Sequence, residues 1–308
     1  MNRIKEPVSA ALGYFDGVHL GHAEVINKAL SQGLKTAVVT FSHNPGKKAD
    51  GRPVPEITLP ALKEKILESM SVDFCIYLDF DKVRNLEPEE FIDLLTEKLN
   101  VKYISCGFNY RFGKGASADV RRLDEICRPK GIKVYTTEPV CVGGKPLSST
   151  RIRSCIASGD VKCAMELLGR PFAVYGEVVH GRRLGRVLGT PTINQLLPPP
   201  QLLPRFGVYA SVTHVGDTLY PSVTNIGVKP TVSSNEVAGS ETYIIGFDGD
   251  LYGKVIQVDL IEFLRPEMKF ESVDRLKEQM GRDTEKAKAI STGFINNKKP
   301  FAEKVLSR

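Results

Sequence analysis

The sequence predicts an α/β domain with a parallel sheet, followed by a small β-barrel or sandwich that ends in a helix. Three observations lead to this prediction. In the first half, strand-like apolar runs alternate with helical runs. From Ala173 onward, short apolar runs are separated by Gly, Pro and Asp, which is typical of an all-β domain. Helical periodicity returns only after Ser272.

The first half contains five strand-like runs. They are Val8–Leu12, Ala37–Phe41, Phe74–Leu78, Val101–Cys106 and Ile132–Tyr135. Between them lie helical runs, at Val25–Leu30, Pro60–Met70, Pro88–Leu99 and Ala118–Arg128. This alternation implies βαβ units and a parallel sheet, whose ligands bind at the carboxyl ends of the strands.

The second half contains five further strand-like runs. They are Val174–His180, Gly207–Val212, Tyr220–Ile226, Thr242–Phe247 and Val255–Phe263. Many short strands at regular spacing indicate a small barrel or sandwich. The pattern changes near Gly169, and we therefore predict domains at residues 1–169 and 170–308.

Composition restricts the class of protein. The 308 residues carry a formal net charge of +6, and no basic arm or tail indicates a nucleic-acid partner. Six cysteines include no C-x-x-C pair, which argues against zinc. The sequence shows neither a secretory segment nor an apolar run of membrane-spanning length. We expect a reduced, cytoplasmic protein with small-molecule partners and no membrane partner, whose oligomeric state the sequence does not decide.

The most informative segment is Gly13-Tyr-Phe-Asp-Gly-Val-His-Leu-Gly-His22, between a predicted strand and a predicted helix. Histidines spaced i, i+3 lie on one face of the first helical turn, where backbone N–H groups favour an anion. The glycines allow a tight turn and a close approach to a ligand. The spacing is neither G-x-G-x-x-G nor a P-loop. It resembles the H-x-G-H signature of the nucleotidyltransferase superfamily, whose members attach a nucleotidyl group and release pyrophosphate.

Three other segments are expected at the same edge of the sheet. Thr40–Pro45 ends the second strand, and Gly107–Gly113 ends the fourth strand with a single amide, Asn109. Ser148-Ser-Thr-Arg-Ile-Arg153 opens a helix that hydroxyls such as Ser149 and Thr150 can cap. Arg151 or Arg153 can then bind a phosphate with two hydrogen bonds. Each segment alone is better explained as an ordinary turn, loop or helix cap, and it is their position at one edge of the sheet that favours a function.

In the second half, Pro191-Thr-Ile-Asn194 places Thr192 and Asn194 on one face of an extended segment, because side chains alternate along a strand. A hydroxyl and an amide oxygen are ligands that suit Mg²⁺. Glu241 begins an apolar strand, where a carboxylate can accept a proton from an attacking alcohol. It can also be a turn residue on the rim of a barrel, and composition alone favours this second alternative.

Taken together, these segments resemble the bacterial bifunctional riboflavin kinase/FAD synthetase family almost from end to end. The first-half segments resemble its FMN adenylyltransferase module. The second-half segments resemble its riboflavin kinase module; they are Gly176–Gly181, Gly185–Asn194, Gly207–Ala210, Asn225–Thr231, Glu241-Thr242 and Phe247–Gly253. The resemblance implies a Rossmann-like domain followed by a six-stranded Greek-key barrel with a trailing helix. It also implies ATP, riboflavin, FMN and FAD as substrates or products, with Mg²⁺.

The resemblance assigns a role to each candidate residue. His19, His22 and Arg151 are expected to act on the reacting phosphate, and Glu241 on the flavin alcohol, with Thr192 and Asn194 holding Mg²⁺. The expected binding residues are Gly13, Phe15, Asp16, Gly17, Asn109, Ser149 and Thr150 in the first domain, and Gly181, Gly185 and Gly189 in the second. Where the family has Pro-His-Pro, this chain has Ser42-His43-Asn44-Pro45, and we expect Asn44 to supply the hydrogen-bonding side chain.

Two alternatives to a bifunctional enzyme follow from the sequence. One is an enzyme with a single activity, in which the altered 42–45 segment marks a decayed adenylyltransferase. The other is a flavin-binding regulator without turnover. A binding protein has no need for His19, His22, Thr192, Asn194 and Glu241 together, and so the sequence favours two activities.

Overall fold

The structure, a computed structural model, describes residues 4–44, 46, 51–181, 189–230 and 236–297. The chain divides into two compact units, the first reaching Ser149 and the second starting at Thr150. Within the described ranges, no helix is both long enough and apolar enough to cross a membrane.

The first unit is built on a five-stranded parallel sheet. Its strands are β1 (Val8–Leu12), β2 (Lys35–Phe41), β3 (Phe74–Leu78), β4 (Val101–Gly107) and β5 (Lys133–Thr137), and a short hairpin follows as β6 (Cys141–Val142) and β7 (Lys145–Pro146). The order in the sheet is β3-β2-β1-β4-β5, so the strand order reverses next to β1. Every residue of β1 is buried, as its continuous apolar run requires. The predicted Rossmann-like fold is confirmed.

Helices connect these strands. They are α1 (Leu20–Leu30), α2 (Pro60–Ser69), α3 (Phe80–Val83), α4 (Pro88–Leu99) and α5 (Val120–Cys127). Local sequence explains the bounds of α4: Glu87 and Glu90 form a capping box, and Asn100 ends the helix with a left-handed backbone, φ 49°. Phe91, Ile92 and Leu95 then pack into the same core as Leu12 and Ile104 of the sheet, which fixes the carboxyl edge of β1 relative to β4.

The second unit begins with two helices, α6 (Ser149–Ser158) and α7 (Val161–Leu168). Helix α7 packs on the strands of this unit, although the sequence places the domain boundary after it. The boundary at residue 169 stays a prediction. Cys155 and Cys163 form a disulfide between the two helices, with Cα atoms 6.0 Å apart. The turn between α6 and α7 thus brings together two cysteines that no sequence motif links.

The rest of the unit is an antiparallel sheet of six strands. They are β8 (Phe172–Glu177), β9 (Thr192–Leu196), β10 (Gly207–Val215), β11 (Thr218–Pro230), β12 (Glu236–Ile244) and β13 (Val255–Arg265). The order is β8-β13-β10-β11-β12-β9. The sheet curls until its edges meet, since the N–H of Val179 donates to the carbonyl of Asn194 at 2.8 Å. Helix α8 (Val273–Asn296) packs on β10, β11 and β13. The predicted small barrel with a C-terminal helix is confirmed.

Candidate functional sites

The first site forms around the turn between β1 and α1. His19 is the N-cap residue of α1, and its Nδ1 accepts a hydrogen bond from the backbone N–H of His22 at 3.2 Å. The two imidazole rings lie nearly parallel, with centroids 3.5 Å apart. His19 is buried, so the pair has a fixed position at the start of the helix. The two side chains share one face of the helix, as their i, i+3 spacing predicts.

The backbone of this turn is unusual. Phe15 and Val18 have positive φ angles of 53° and 38°, and Gly17 has a φ of 86°. Such a backbone is rare for residues other than glycine and costs about 1–3 kcal/mol for each residue. Gly13 is required for another reason, because a Cβ there would lie 3.0 Å from the Phe15 ring. That ring makes an edge contact with the His22 ring, so the turn conformation determines where the histidines lie.

The histidines line a cavity of about 510 Å³ at the carboxyl edge of the sheet. The cavity brings together six of the predicted residues, namely Gly13, Phe15, His19, His22, Asn109 and Ser149. Its wall also contains aromatic side chains that the sequence analysis did not assign to a site, including Phe41, Phe108 and Tyr110. A cavity that combines imidazoles with aromatic rings can hold both a phosphate and a planar ring system.

Asp16 lies behind the cavity wall. Its carboxylate is buried, and Oδ1 accepts hydrogen bonds from the backbone N–H groups of Ile57 at 2.9 Å and Thr58 at 3.3 Å. The Asp16 carbonyl accepts a hydrogen bond from the Ser149 hydroxyl at 3.1 Å. Asp16 therefore ties the turn to two other segments of the chain. Direct binding of a ligand by Asp16 or Gly17 stays a prediction.

Thr150 and Arg151 follow Ser149 in α6, and they belong to the second unit. Arg151 is half-buried. The structure gives no ligand contact for either residue, and their action on a phosphate stays a prediction, as does the choice between Arg151 and Arg153.

The segment that departs from the family pattern uses Asn44 within its own loop. Asn44 Oδ1 accepts a hydrogen bond from the N–H of Gly46 at 2.9 Å, and the N–H of Asn44 donates to Glu56 at 3.3 Å. Ser42 Oγ and His43 Nδ1 lie 3.3 Å apart. Pro45 lies outside the described residues. The expectation that Asn44 supplies the family's hydrogen bond therefore stays a prediction that activity must test.

Sequence reasoning missed a buried polar cluster behind the turn. Lys63 on α2 is 1% exposed, and its ammonium donates to the Tyr14 carbonyl at 3.0 Å. The Tyr14 hydroxyl donates to the buried carboxylate of Glu56 at 2.7 Å. Burial lowers the pKa of Lys63, while the nearby carboxylates of Asp16 and Glu56 act in the opposite direction. No signal in the sequence distinguishes Lys63 from Lys65, the exposed lysine of the same helix.

The second site lies on the barrel, across strands β9, β12 and β11. Asn194 is paired directly opposite Glu241, and Glu241 is paired opposite Asn225. Directly opposite residues of an antiparallel sheet point to the same face. Thr192 shares this face because it is two residues from Asn194. The hydroxyl, amide and carboxylate that the sequence singled out therefore belong to one small area.

Two cavities meet at this area. One, of about 380 Å³, is lined by Thr192 and Glu241 and by residues of α8. The other, of about 530 Å³, is lined by Thr192 and by the loop from Phe247 to Tyr252. Thr192 thus lines both cavities. Ile193, between Thr192 and Asn194, is half-buried and lines the second cavity.

Three glycines of the second half, Gly181, Gly185 and Gly189, were predicted to bind ligands, and their surroundings differ. A Cβ on Gly181 would lie 2.4 Å from Asn194 Nδ2, so the absence of a side chain at Gly181 makes room for the Asn194 amide. Gly189 lines the 530 Å³ cavity and has a positive φ of 80°. Gly185 lies outside the described residues.

The contribution of α8 to the 380 Å³ cavity was also missed. Arg265 donates from Nε and a terminal nitrogen to Asp283 Oδ2 at 2.9 and 2.8 Å, which joins β13 to α8 at the wall of the cavity. Leu276 and Met280 of α8 add apolar surface. The sequence predicted α8 only as a trailing helix, because its amphipathic pattern does not show which cavity it covers.

The fold and the two sites define a class of protein, a nucleotide-dependent enzyme with a Rossmann-like nucleotidyltransferase unit and a separate barrel unit. The family model described as FAD synthetase matches residues 1–151, and the one described as riboflavin kinase matches residues 168–291. These two matches cover most of the chain and correspond to its two kinds of fold.

Curated relatives agree with these matches. The chain is 34% identical to the bifunctional riboflavin kinase/FMN adenylyltransferase of Bacillus subtilis (strain 168) over 287 residues, 90% of each chain. It is 37% identical to the enzyme of the same name from Escherichia coli (strain K12) over 286 residues, 88% of this chain and 89% of that one. The chain therefore belongs to the bifunctional riboflavin kinase/FMN adenylyltransferase family.

A solved structure has a similar fold along nearly the whole chain. It is a crystal structure from Streptococcus pneumoniae, titled as a macrolide-efflux protein, with a TM-score of 0.80 and 32% sequence identity. The match covers 92% of this chain and 94% of that chain. The similarity thus includes both kinds of fold found here.

Proposed function

We propose that this chain makes FAD from riboflavin in two ATP-dependent steps, one in each unit. The barrel phosphorylates riboflavin to FMN, and the Rossmann-like unit adenylylates FMN to FAD and releases pyrophosphate. The observation that carries the proposal is that each unit has its own cavity with candidate residues in its wall. His19 and His22 line the cavity of the first unit, and Thr192 and Glu241 line a cavity of the barrel. We assign the adenylylation of FMN to residues 1–169 and the phosphorylation of riboflavin to residues 170–308.

In the barrel, we assign riboflavin to the 380 Å³ cavity and ATP to the 530 Å³ cavity. The 5′-hydroxyl oxygen of the ribityl chain attacks the γ-phosphorus, the bond to ADP breaks, and Glu241 accepts the proton of the alcohol. Glu241 lines the cavity assigned to riboflavin, whereas Thr192 lines both cavities. This arrangement supports transfer at the point where the cavities meet.

Thr192 and Asn194 fit the Mg²⁺ that such a reaction requires. Both offer hard oxygen donors on one face of β9, next to Glu241, and Gly181 makes room for the Asn194 amide. When bound, Mg²⁺ neutralises the charge that develops on the transferred phosphoryl group. Among the described residues, no group of three or more His, Cys, Asp or Glu side chains could hold a metal. We assign the remaining ligand positions to phosphate oxygens and water, which is the usual situation for Mg²⁺.

In the first unit, the phosphate of FMN attacks the α-phosphorus of ATP, and the bond to pyrophosphate breaks. The attacking phosphate is already an anion, so this step needs no general base. The rate of this step depends on positioning of the reactants and on stabilisation of the developing charge. We assign both roles to His19, His22 and Arg151. The stacked imidazoles at the N-terminus of α1 support this assignment, because donors held in place before the reaction stabilise developing charge most effectively.

One experiment separates the proposal from its alternatives. The purified protein is incubated with riboflavin, ATP and Mg²⁺, and the flavins are separated by chromatography. The expected products are FMN and FAD. FMN alone would indicate an enzyme with one activity, and unchanged riboflavin would indicate a binding protein without turnover. A second reaction that starts from FMN tests the first unit by itself.

A further inference from the structure

Lys63 is a buried cation that the proposed chemistry does not use. Its ammonium donates to the backbone carbonyl of Tyr14 at 3.0 Å and lies 4.4 Å from the centre of the Tyr14 ring. The side chain is 1% exposed, although lysine is almost never fully buried unless it is paired. The residue it contacts is two positions after β1, at the start of the turn that carries the histidines.

The surroundings of Lys63 are arranged for a charged group. The buried carboxylates of Asp16 and Glu56 both favour its ammonium form, and Glu56 accepts a hydrogen bond from the Tyr14 hydroxyl at 2.7 Å. Burial of charged groups costs desolvation free energy, and the attraction between the paired charges seldom exceeds that cost by much. An apolar side chain of similar size often gives a protein of equal stability. A contribution to stability is therefore a weak explanation for a lysine at this position.

The contacts instead fix the backbone on both sides of Phe15. The Tyr14 carbonyl accepts a second hydrogen bond from the Thr40 hydroxyl at 2.7 Å, and the Asp16 carbonyl accepts one from Ser149. Phe15 lies between these two carbonyls and has a positive φ of 53°. A strained conformation of this kind persists only where the surroundings impose it. Lys63 and its neighbours supply that constraint.

We propose that Lys63 is a positioning residue for adenylyl transfer, whose ammonium holds the Tyr14 carbonyl so that the turn presents His19 and His22 to the nucleotide. This inference rests on the proposed function of the first unit. Lys63 does not line the cavity and touches no reacting atom. It acts through the turn, and a displacement of about 1 Å at a catalytic group can reduce a rate by about 100-fold.

The test compares Lys63→Met with Lys65→Met. Both change a lysine of α2 to an apolar residue of similar length, but Lys65 is exposed. In Lys63→Met we expect kcat for conversion of FMN to FAD to fall by about 10–100-fold, with a smaller change in KM for ATP. Lys65→Met should behave like the unaltered protein. Phosphorylation of riboflavin, measured on the same preparations, should be unchanged in both.

Lys63→Met also leaves two buried carboxylates without their cation, so a second variant is needed. The double variant Lys63→Met, Glu56→Gln removes most of that imbalance but still lacks the donor to Tyr14. It should remain impaired in FAD formation. If the double variant recovers the full rate, the effect of Lys63 is only one of charge balance, and the proposal is wrong. If either variant fails to fold, Thr40→Val removes the other donor without leaving a charge, and it should lower kcat in the same way.

A spectroscopic measurement distinguishes positioning from general destabilisation. In NMR spectra of the histidine side chains, Lys63→Met should shift the signals of His19 and His22. The signals of His180 and His214, which lie in the barrel unit, should stay in place. Unshifted His19 and His22 signals, or a folded Lys63→Met protein with the full rate of FAD formation, would overturn the proposal while leaving the proposed function intact. An unaltered protein that forms no FAD from FMN would instead contradict both.

Discussion

At the scale of single residues, the stacked pair of histidines gives the sharpest prediction for the first unit. If His22 stabilises charge on the reacting α-phosphate, His22→Ala should lower FAD formation by about 10²–10³, the usual effect of losing one transition-state donor. Formation of FMN should be almost unchanged, because the barrel has its own cavities. Both rates can be measured on one preparation by chromatography of the flavins. Full adenylylation by a His19→Ala, His22→Ala double variant would exclude this role.

Glu241 gives the corresponding prediction for the barrel. Glu241→Gln keeps the size and hydrogen bonding of the side chain but removes the base, so kinase turnover should fall by about 10²–10⁴ with little effect on riboflavin affinity. The variant should still make FAD when FMN is supplied. Glu262→Gln is a matched control, because Glu262 lies on β13 and pairs with Lys162 at 2.6 Å. Riboflavin phosphorylation at the full rate by Glu241→Gln would show that Glu241 is only a rim residue.

The residues that sequence reasoning found and those that it missed differ in kind. The shared face of His19 and His22, and that of Thr192 and Asn194, could be predicted because the spacing of each pair within one element determines it. The pairing of Glu241 with Asn194 depends on the register between β12 and β9, and nothing in either segment encodes it. Lys63 was missed for a similar reason, because only the tertiary fold shows that a lysine of α2 is buried.

At the scale of elements, the strongly periodic helix α4 was predictable and the short helix α7 was not. Pro88–Leu99 was found with both bounds correct, because its apolar stripe, its proline and its acidic first turn all indicate one helix. Helix α7 was missed, although Asp160 caps its start and Gly169 ends it with a φ of 76°. Its eight residues are too few for a clear period. Strand β9 was read only as an extended segment, because it follows a glycine-rich stretch.

The junction between β9 and the segment after β8 gives a prediction at the element scale. A methyl group at Gly181 would displace the Asn194 amide, since its Cβ would lie 2.4 Å from Nδ2. In Gly181→Ala, the Mg²⁺ concentration needed for half-maximal kinase activity should rise by about 10–100-fold, as for other changes next to a metal ligand. FAD formation from FMN should not change. Gly176→Ala is the control, because its nearest neighbour would be the Leu196 carbonyl at 3.9 Å. If both variants showed the same Mg²⁺ dependence, the assignment of Asn194 as a Mg²⁺ ligand would be wrong.

At the scale of the whole molecule, the sequence predicted the classes of the two folds but not how each one closes. A strand that is almost entirely apolar, such as β1, indicates a sheet covered on both faces, and short connections restrict the strand order. Closure of the barrel depends on a long-range contact between Val179 and Asn194, which no local pattern specifies. The disulfide between Cys155 and Cys163 was missed because it depends on how α6 and α7 pack.

The core of the first unit gives a prediction about stability in alkaline solution. Cys106 and Cys127 are fully buried in this core, and burial raises the pKa of each thiol to about 12. In the unfolded chain, a cysteine thiol has a pKa of about 8.5. A pKa raised by folding means that the folded state holds protons which the unfolded state releases. Stability is therefore unaffected below about pH 8.5 and decreases above it, by about 1.4 kcal/mol per pH unit for each thiol, until the folded pKa is reached.

The measurement is urea unfolding of the first unit between pH 8 and 10.5, under reducing conditions, for the unaltered protein and for Cys106→Ala, Cys127→Ala. The double variant should be less stable at pH 8, because it loses buried sulfur atoms, but its stability should decrease less steeply with pH. The lowered pKa of Lys63 makes stability rise with pH, which is the opposite effect. This contribution is the same in both proteins, so it cancels when their pH dependences are compared. Cys141→Ala, at an exposed thiol, should follow the unaltered protein. Parallel pH dependence in the unaltered protein and the double variant would show that the buried thiols do not set the alkaline limit.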